Sequence, residues 1–485
     1  MHPKTILRIL SIVITIVSFF ILICAVFSAL SGEPVKVTLA LAESGFLGIG
    51  FLMVMALWCY QDPRPFLTNR DGLLFVTASW VLSSLLGALP FWLSGAIPSY
   101  IDAFFETMSG FTTTGASILT DIEAMPRSLL LWRATTHWLG GMGIVVLTVA
   151  ILPMLGFSAL RVIEAEAPGP SVDRITPHIS TTAKTLWLIY LGLTLAETLL
   201  LMLGGMSLYD AVTHAFATMA TGGFSTKNAS VGHFGSAYID GVITLFMFLA
   251  GANFTLYYFA LKGKPVMMLR DVEFRTYASI FLVATAVIAI NLSMSGTYEN
   301  LAQSLRYASF QVSSILTTTG FATADFDRWP EIAKTFLFVL MFIGGCAGST
   351  GGGIKVVRVV ALFKMAATEL RYLSNPRGVY AIFMNGKALR KNVIYDTAAL
   401  VFLYFLFFFI SLAVISLSGV DVLTGITAVI ANLGNIGPGL GKVGPTLNYA
   451  FFPWWAKLWL SLAMLVGRLE VYTVLILFSK RFWRA

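Results

Sequence analysis

Charge is scarce in this chain. Only 12% of its 485 residues are Asp, Glu, Lys or Arg, about half the share usual in soluble domains. With 57% hydrophobic residues, a water-soluble globule is excluded and a polytopic membrane protein is what remains. Cysteine is nearly absent as well. Cys24, Cys59 and Cys346 all lie in apolar stretches, which excludes a disulfide framework and a cysteine metal site. Paired carboxylates, metal-ligand spacing and a nucleophile–base set are all missing, so no enzyme chemistry is readable. No polar loop is long enough for a nucleotide-binding domain. The net charge of +8 therefore points to membrane topology and not to nucleic acid.

What the chain has in quantity is apolar runs. The first follows Lys4 and Arg8 and reaches Leu30. It is longer than a signal-peptide core, and further spans follow, so it is expected to stay as a helix. Two such helices, Thr5 to Leu30 and Leu39 to Tyr60, precede a loop holding Pro63, Arg64, Pro65 and Arg70. Eight more are expected at Leu73 to Leu93, Arg133 to Leu155, Leu186 to Met206, Tyr238 to Leu261, Tyr277 to Ser295, Ala333 to Phe363, Val393 to Leu417 and Ala456 to Phe478. A charged loop runs from Arg161 to Lys184.

Between the paired helices, four short stretches echo one another about a hundred residues apart. They read TTTGAS from Thr112, ATGGFS from Ala220, TTTGFA from Thr317 and GNIGPG from Gly434. Each follows a segment too short to cross a bilayer, which takes about 20 residues. These segments are Ile101 to Gly110, Tyr209 to Met219, Leu301 to Leu316 and Val422 to Leu433. Asp102 and Asp210 suit helix starts, where they cap free N–H groups. Each helix then runs its carbonyl end into Thr/Gly backbone. Four ordinary glycine C-caps would also read this way. Four in register, each between two membrane-length helices, instead suggest re-entrant hairpins around one axis. Their carbonyl and threonine oxygens would replace the water shell of a bare cation. The candidate ion-binding residues are Thr113, Thr114 and Gly115; Thr221, Gly222 and Gly223; Thr318, Thr319 and Gly320; and Asn435, Ile436 and Gly437.

The expected architecture is all-α. Two extra helices (residues 1–71) precede four pseudo-symmetric helix–hairpin–helix repeats around one central pore, at 72–160, 161–265, 266–390 and 391–485. Twenty of the 32 Lys and Arg fall on the side of the termini and nine on the other. The excess sets both termini in the cytoplasm.

The second helix of each repeat carries a further echo, at Leu139 to Gly141, Leu249 to Gly251, Ile343 to Gly345 and Leu465 to Gly467. Close packing through small residues accounts for the first two. The third opens a run of six glycines in ten residues, Gly344 to Gly353, which costs a helix about 6 kcal/mol relative to alanine. A break is expected there, lining the pore. It is not a phosphate loop, since Ile354 separates Gly353 from Lys355. In the fourth, Arg468 takes the slot of Met142, Ala252 and Cys346. An arginine at membrane depth costs at least about 2.5–3.5 kcal/mol unless solvated or paired. A pair with Glu470 is ruled out on a helix, because positions i and i+2 do not face each other. Arg468 is therefore expected to donate to carbonyls of the broken segment and help hold the path shut. The candidate gate comprises Gly344, Gly345, Gly348, Ser349, Thr350, Gly351, Gly352, Gly353 and Arg468. Lys355 and Arg358 are expected to snorkel to the inner surface. Glu106, His214 and Gln311 share a slot nine residues before three of the glycines and are expected to support the collar from behind.

This combination resembles the Trk/Ktr/HKT superfamily of potassium transporters, from about Gly72 to the C-terminus. The two extra N-terminal helices are similar to those of its longer bacterial branch. The resemblance implies a potassium ion as substrate, with no cofactor bound by this chain. It implies a homodimer in the bacterial inner membrane, surrounded by lipid, with a cytoplasmic ring of Rossmann-type nucleotide-binding subunits that gates it. It also implies that glycine at all four positions, Gly115 included, favours potassium over sodium. The fourth echo departs most, with Asn435, Ile436 and Pro438 in place of threonines and an aromatic. The short echoes imply fewer ion sites than in a longer filter, with rubidium passing too. A coupled symporter of potassium or another small solute, driven by protons or sodium, is the alternative. The four echoes share one polarity along the chain and His137 and His214 fall near element ends, which argues for the channel-like reading.

Overall fold

The computed structural model describes residues 2–58, 68–143 and 179–484. Within these every regular element is helical apart from one two-stranded hairpin, and irregular backbone joins them. The Pro63–Pro65 loop, the expected continuation of the Arg133 helix past 143 and most of the charged loop from Arg161 lie outside the described residues.

Six described helices are long and apolar enough to span a bilayer. Pro3–Leu30 and Val35–Trp58 form an antiparallel pair leaning on Asn69–Ser94. Gly48 lets them close up: a methyl group there would lie 2.0 Å from Ser18 Oγ. The other spans, Ile179–Leu203, Val272–Met294 and Lys391–Ser416, are outer helices like Asn69–Ser94. Leu195, Leu199, Phe402 and Phe409 on them are exposed, the inverse of a soluble protein and the surface lipid would cover.

Between outer and inner helices sit the four short ones, Tyr100–Phe111, Leu208–Met219, Leu301–Leu316 and Val422–Leu433. All start the same way. Ser99, Ser207, Asn300 and Asp421 each accept, through the side chain, the N–H of the third helical residue. Such a cap stabilises by about 1 kcal/mol. Asp102 and Asp210 are thus not the caps. They stand at that third position, where their charge meets the helix dipole. The third helix also begins a turn earlier than the others, which puts Tyr307 inside it.

The inner helices correct the sequence reading. Breaks occur in the second and the fourth as well as in the third. Arg127–Gly141 ends in a turn at Met142 and Gly143. Ala237–Ala250 and Phe254–Leu261 meet at 98°, and Trp454–Arg468 and the segment from Glu470 meet at 117°. Repeat three stops at Leu340 and resumes at Val356. The breaks persist because the carbonyls they free find partners from other repeats, as described below. The packing reading keeps a share of the truth, one residue out of register. Gly140 and Gly467 lie against Phe111 O and Leu433 O, where a methyl would come within 1.9 Å of either. Gly467 is therefore the counterpart of Gly140, and Arg468 of Gly141.

Candidate functional site

The backbone of the four echoes repeats residue by residue. The position two before each shared glycine has a left-handed φ: 54° at Thr113, 55° at Thr221, 61° at Thr318 and 55° at Asn435. For β-branched threonine this is costly, about 1–3 kcal/mol. Each glycine is left-handed too, with φ of 82°, 78°, 84° and 92° from Gly115 to Gly437. The residue between them donates its N–H five residues back into the helix end. These bonds run from Thr114 to Ser109 O (2.9 Å) and from Gly222 to Ala217 O, Thr319 to Ser314 O and Ile436 to Ala431 O (2.8 Å each). Local bonds thus hold each collar in its strained shape.

The collars close on one another in chain order. A methyl on Gly115 would lie 2.1 Å from Gly222 O, one on Gly223 2.1 Å from Thr319 O, and one on Gly320 2.1 Å from Ile436 O. One on Gly437 would lie 2.6 Å from Thr114 O, which completes the circuit. Only glycine can stand at these four places, for both φ and space. The oxygens that define the ring are backbone carbonyls. The threonine hydroxyls, expected to share in it, are engaged elsewhere. Thr114 Oγ1 pairs with Thr112 Oγ1 and accepts from Asn435 Nδ2, and Thr319 Oγ1 pairs with Thr317 Oγ1.

Behind the ring each repeat is braced differently. Glu106 accepts from Ser117 Oγ and Ile118 N and pairs with Arg133 at 2.6 Å, both side chains buried. Arg133 also donates to Ser225 O, tying repeat one to repeat two. His214 meets Ser225 Oγ at 2.9 Å, and Gln311 donates to Thr323 Oγ1 at 3.4 Å. In repeat four the slot holds Ala428, and the brace comes instead from Tyr449, whose hydroxyl donates to Gly437 O at 2.8 Å. His137, one turn before the end of Arg127–Gly141, donates Nδ1–H to Gly110 O. Its ring fills the space where a side chain at Gly222 would sit, 2.4 Å from a methyl there. That is why repeat two reads TGG where its neighbours read TTG.

On the side where the short helices end, the segment Gly344–Gly353 lies across the collars. It is pinched at its neck, where Ile343 bridges Ile354 and Val356 N donates to Gly345 O. Gly352 N donates to Thr318 Oγ1 at 2.7 Å, and a methyl on Gly352 would lie 2.6 Å from Gly434 O. Its other edge is received by the bend in repeat two. Cys346 N donates to Gly251 O, Thr350 Oγ1 to Ala250 O, and Phe254 N to Gly348 O. The segment thus uses the carbonyls that the broken helix frees.

Arg468 closes this assembly. It lies at the carbonyl end of its helix, not in mid-helix. Nη1 donates to Thr350 O at 2.6 Å and Thr113 Oγ1 at 3.1 Å; Nη2 donates to Gly140 O at 2.7 Å and Gly141 O at 2.9 Å. One guanidinium from repeat four so joins the glycine-rich segment of repeat three to the first repeat. Glu470, which turns away at φ 58°, pairs with Arg358. Arg358 is buried, and Lys355 Nζ donates to Gly351 O. Neither side chain snorkels, because each has an internal partner. Sequence reasoning missed Arg133, the Arg358–Glu470 pair and Glu273, which accepts from Ala347 N and Val357 N. Only folding brings these partners together.

A single chain whose four re-entrant hairpins close a carbonyl ring inside a helical bundle is a four-repeat, multi-pass membrane protein. A family model, "TrkH: Cation transport protein", matches residues 49–484, and the chain belongs to that family. It is 42% identical to the Trk system potassium uptake protein TrkH of Salmonella typhimurium, over 88% of this chain and 89% of that one. It is 39% identical to the protein of that name from Halomonas elongata, with both chains fully covered. The crystal structure of the potassium transporter TrkH from Vibrio parahaemolyticus superposes with a TM-score of 0.88 at 37% identity, again over the whole of both chains. The resemblance read from the motifs and the four-repeat architecture are both upheld, and the family is one of transporters, not enzymes.

Proposed function

We propose that this chain takes potassium up across the bacterial inner membrane through a gated, channel-like path. Its filter is the carbonyl ring with the candidate residues around it. The observation that carries this is the closed circuit Gly115–Gly222, Gly223–Thr319, Gly320–Ile436 and Gly437–Thr114. Four neighbouring backbone carbonyls with no side chain between them suit a dehydrated monovalent cation. The names of the relatives, potassium uptake proteins, support the choice of ion. Gly344–Gly353 with Arg468 is the gate. A fixed positive charge hydrogen-bonded to Thr350 O, next to the ring, opposes a cation and latches the segment in one contact. The positive-inside excess puts both termini in the cytoplasm. A homodimer, and a cytoplasmic nucleotide-binding ring that acts on the gate, complete the reading; the "Trk system" in the relatives' names fits a multi-component assembly.

The test is rubidium and potassium flux into vesicles holding the purified chain. Saturable passive flux without a second ion gradient supports the proposal; strict dependence on a proton or sodium gradient overturns it in favour of symport. One observation favours that second reading. Glu197, in the outer helix of repeat two, is fully buried beside Thr218 of the short helix. A carboxylate at membrane depth suits an ion relay.

A further inference from the structure

The glycine-rich segment is held from behind by one carboxylate. Glu273, 7% exposed, stands in the first turn of Val272–Met294. Its Oε1 accepts from Ala347 N at 2.7 Å and Val357 N at 3.0 Å, on either side of the pinched neck. Its own turn of helix is held in place from outside the bundle. A small hairpin, Phe383–Met384 paired with Lys387–Ala388, turns through Asn385 (φ 48°) and Gly386 (φ 76°). At that turn Asn385 Oδ1 accepts from Val272 N at 2.9 Å, and Asn385 Nδ2 donates to Asp271 Oδ2 at 2.7 Å. Asp271 in turn caps the helix by accepting from Phe274 N. Lys364 Nζ donates to Phe383 O, fastening the hairpin to the helix that resumes after the break. Three consecutive residues, Asp271 to Glu273, so join an exposed hairpin to the intramembrane segment.

We propose that this hairpin is a latch and that Glu273 is the positioning residue through which it acts. While Asn385 supplies the first-turn partners, Glu273 seats both ends of the segment. When the hairpin moves away, Val272 N–H loses its partner, the capping Asp271 loses the amide that holds it, and the turn frays. The Ala347 and Val357 N–H groups are then buried without an acceptor, which drives the segment to a new position. A cytoplasmic component could shift the gate by moving the hairpin alone. This rests on the gate reading above.

Cys346, on the segment and 1% exposed, reports its seating. In a Cys24→Ala, Cys59→Ala background, N-ethylmaleimide labelling of Cys346 is followed in reconstituted vesicles. Asn385→Ala should speed labelling about fivefold to tenfold, the effect of losing one net hydrogen bond. Glu273→Ala should speed it more, whereas Glu273→Gln, which keeps an accepting oxygen, should stay near the parent rate. The double Asn385→Ala, Glu273→Ala variant should label no faster than Glu273→Ala, because both changes interrupt one path. Parental labelling in Asn385→Ala, or multiplied rates in the double variant, overturns the latch while leaving the gate reading intact. If Glu273→Ala does not fold, Asn385→Ala against Glu273→Gln still decides. Faster labelling with unchanged rubidium flux would instead overturn the gate and leave the latch standing.

Discussion

The ring and the glycine-rich segment are both built of glycine and backbone oxygen, yet they are held in opposite ways. Each collar is bound to its own short helix, through a bond from the residue before the glycine to the carbonyl five back. The segment makes few bonds to itself beyond its neck. Its partners are Ala250 and Gly251, Glu273, Thr318 and Arg468, contributed by three of the four repeats. A structure tied locally keeps its shape when neighbours shift. One tied to distant elements moves when they do. The proposed function gives selection to the ring and opening to the segment, and that division can be broken by experiment.

The largest effect should come from the brace behind the ring. Glu106→Ala leaves Arg133 buried without its carboxylate and should destabilise the protein by about 3–5 kcal/mol, read as a lower unfolding temperature in detergent. Next is the ring itself. Gly223→Ala places a methyl against Thr319 O, and an overlap costing about 3 kcal/mol predicts a rubidium flux lower by about 100-fold. Arg468→Ala should instead raise resting flux by about tenfold, the effect of about 1.4 kcal/mol removed from the closed state, with the potassium-to-sodium ratio unchanged. A changed ratio with unchanged flux would erase the division between ring and segment. Smallest is Tyr449→Phe, which removes one bond to Gly437 O worth about 1 kcal/mol. It should lower the potassium-to-sodium ratio in competition flux and leave gating unchanged, with a fall in unfolding temperature smaller than that of Glu106→Ala.

Much of the ring was legible before folding was considered, and the segment only in outline. The run of glycines from Gly344 announces that no helix can persist there, but not what replaces it. The residues chosen as gate do contact Arg468, through Thr350 O. Nothing in the order of residues, however, indicates that Gly140 and Gly141 would supply its other carbonyls. The bend at Gly251 was hidden for a related reason. A lone glycine in an apolar helix reads as a packing site, and it becomes a break because Cys346 N, nearly a hundred residues away, takes its carbonyl. The same holds for Lys355 and Arg358, whose length suggests escape to the surface until Gly351 O and Glu470 are placed beside them.

By itself the sequence determined the membrane spans, the four re-entrant hairpins and the glycine at each collar. Hydropathy, capping and left-handed backbone are settled by residues within a turn or two of each other. The tertiary structure alone decided which inner helices bend, where Arg468 spends its hydrogen bonds, and that Glu273 underpins the segment. Each of those outcomes depends on a freed carbonyl or a buried charge meeting a partner far away in the chain, and such meetings are a property of packing and not of chain order.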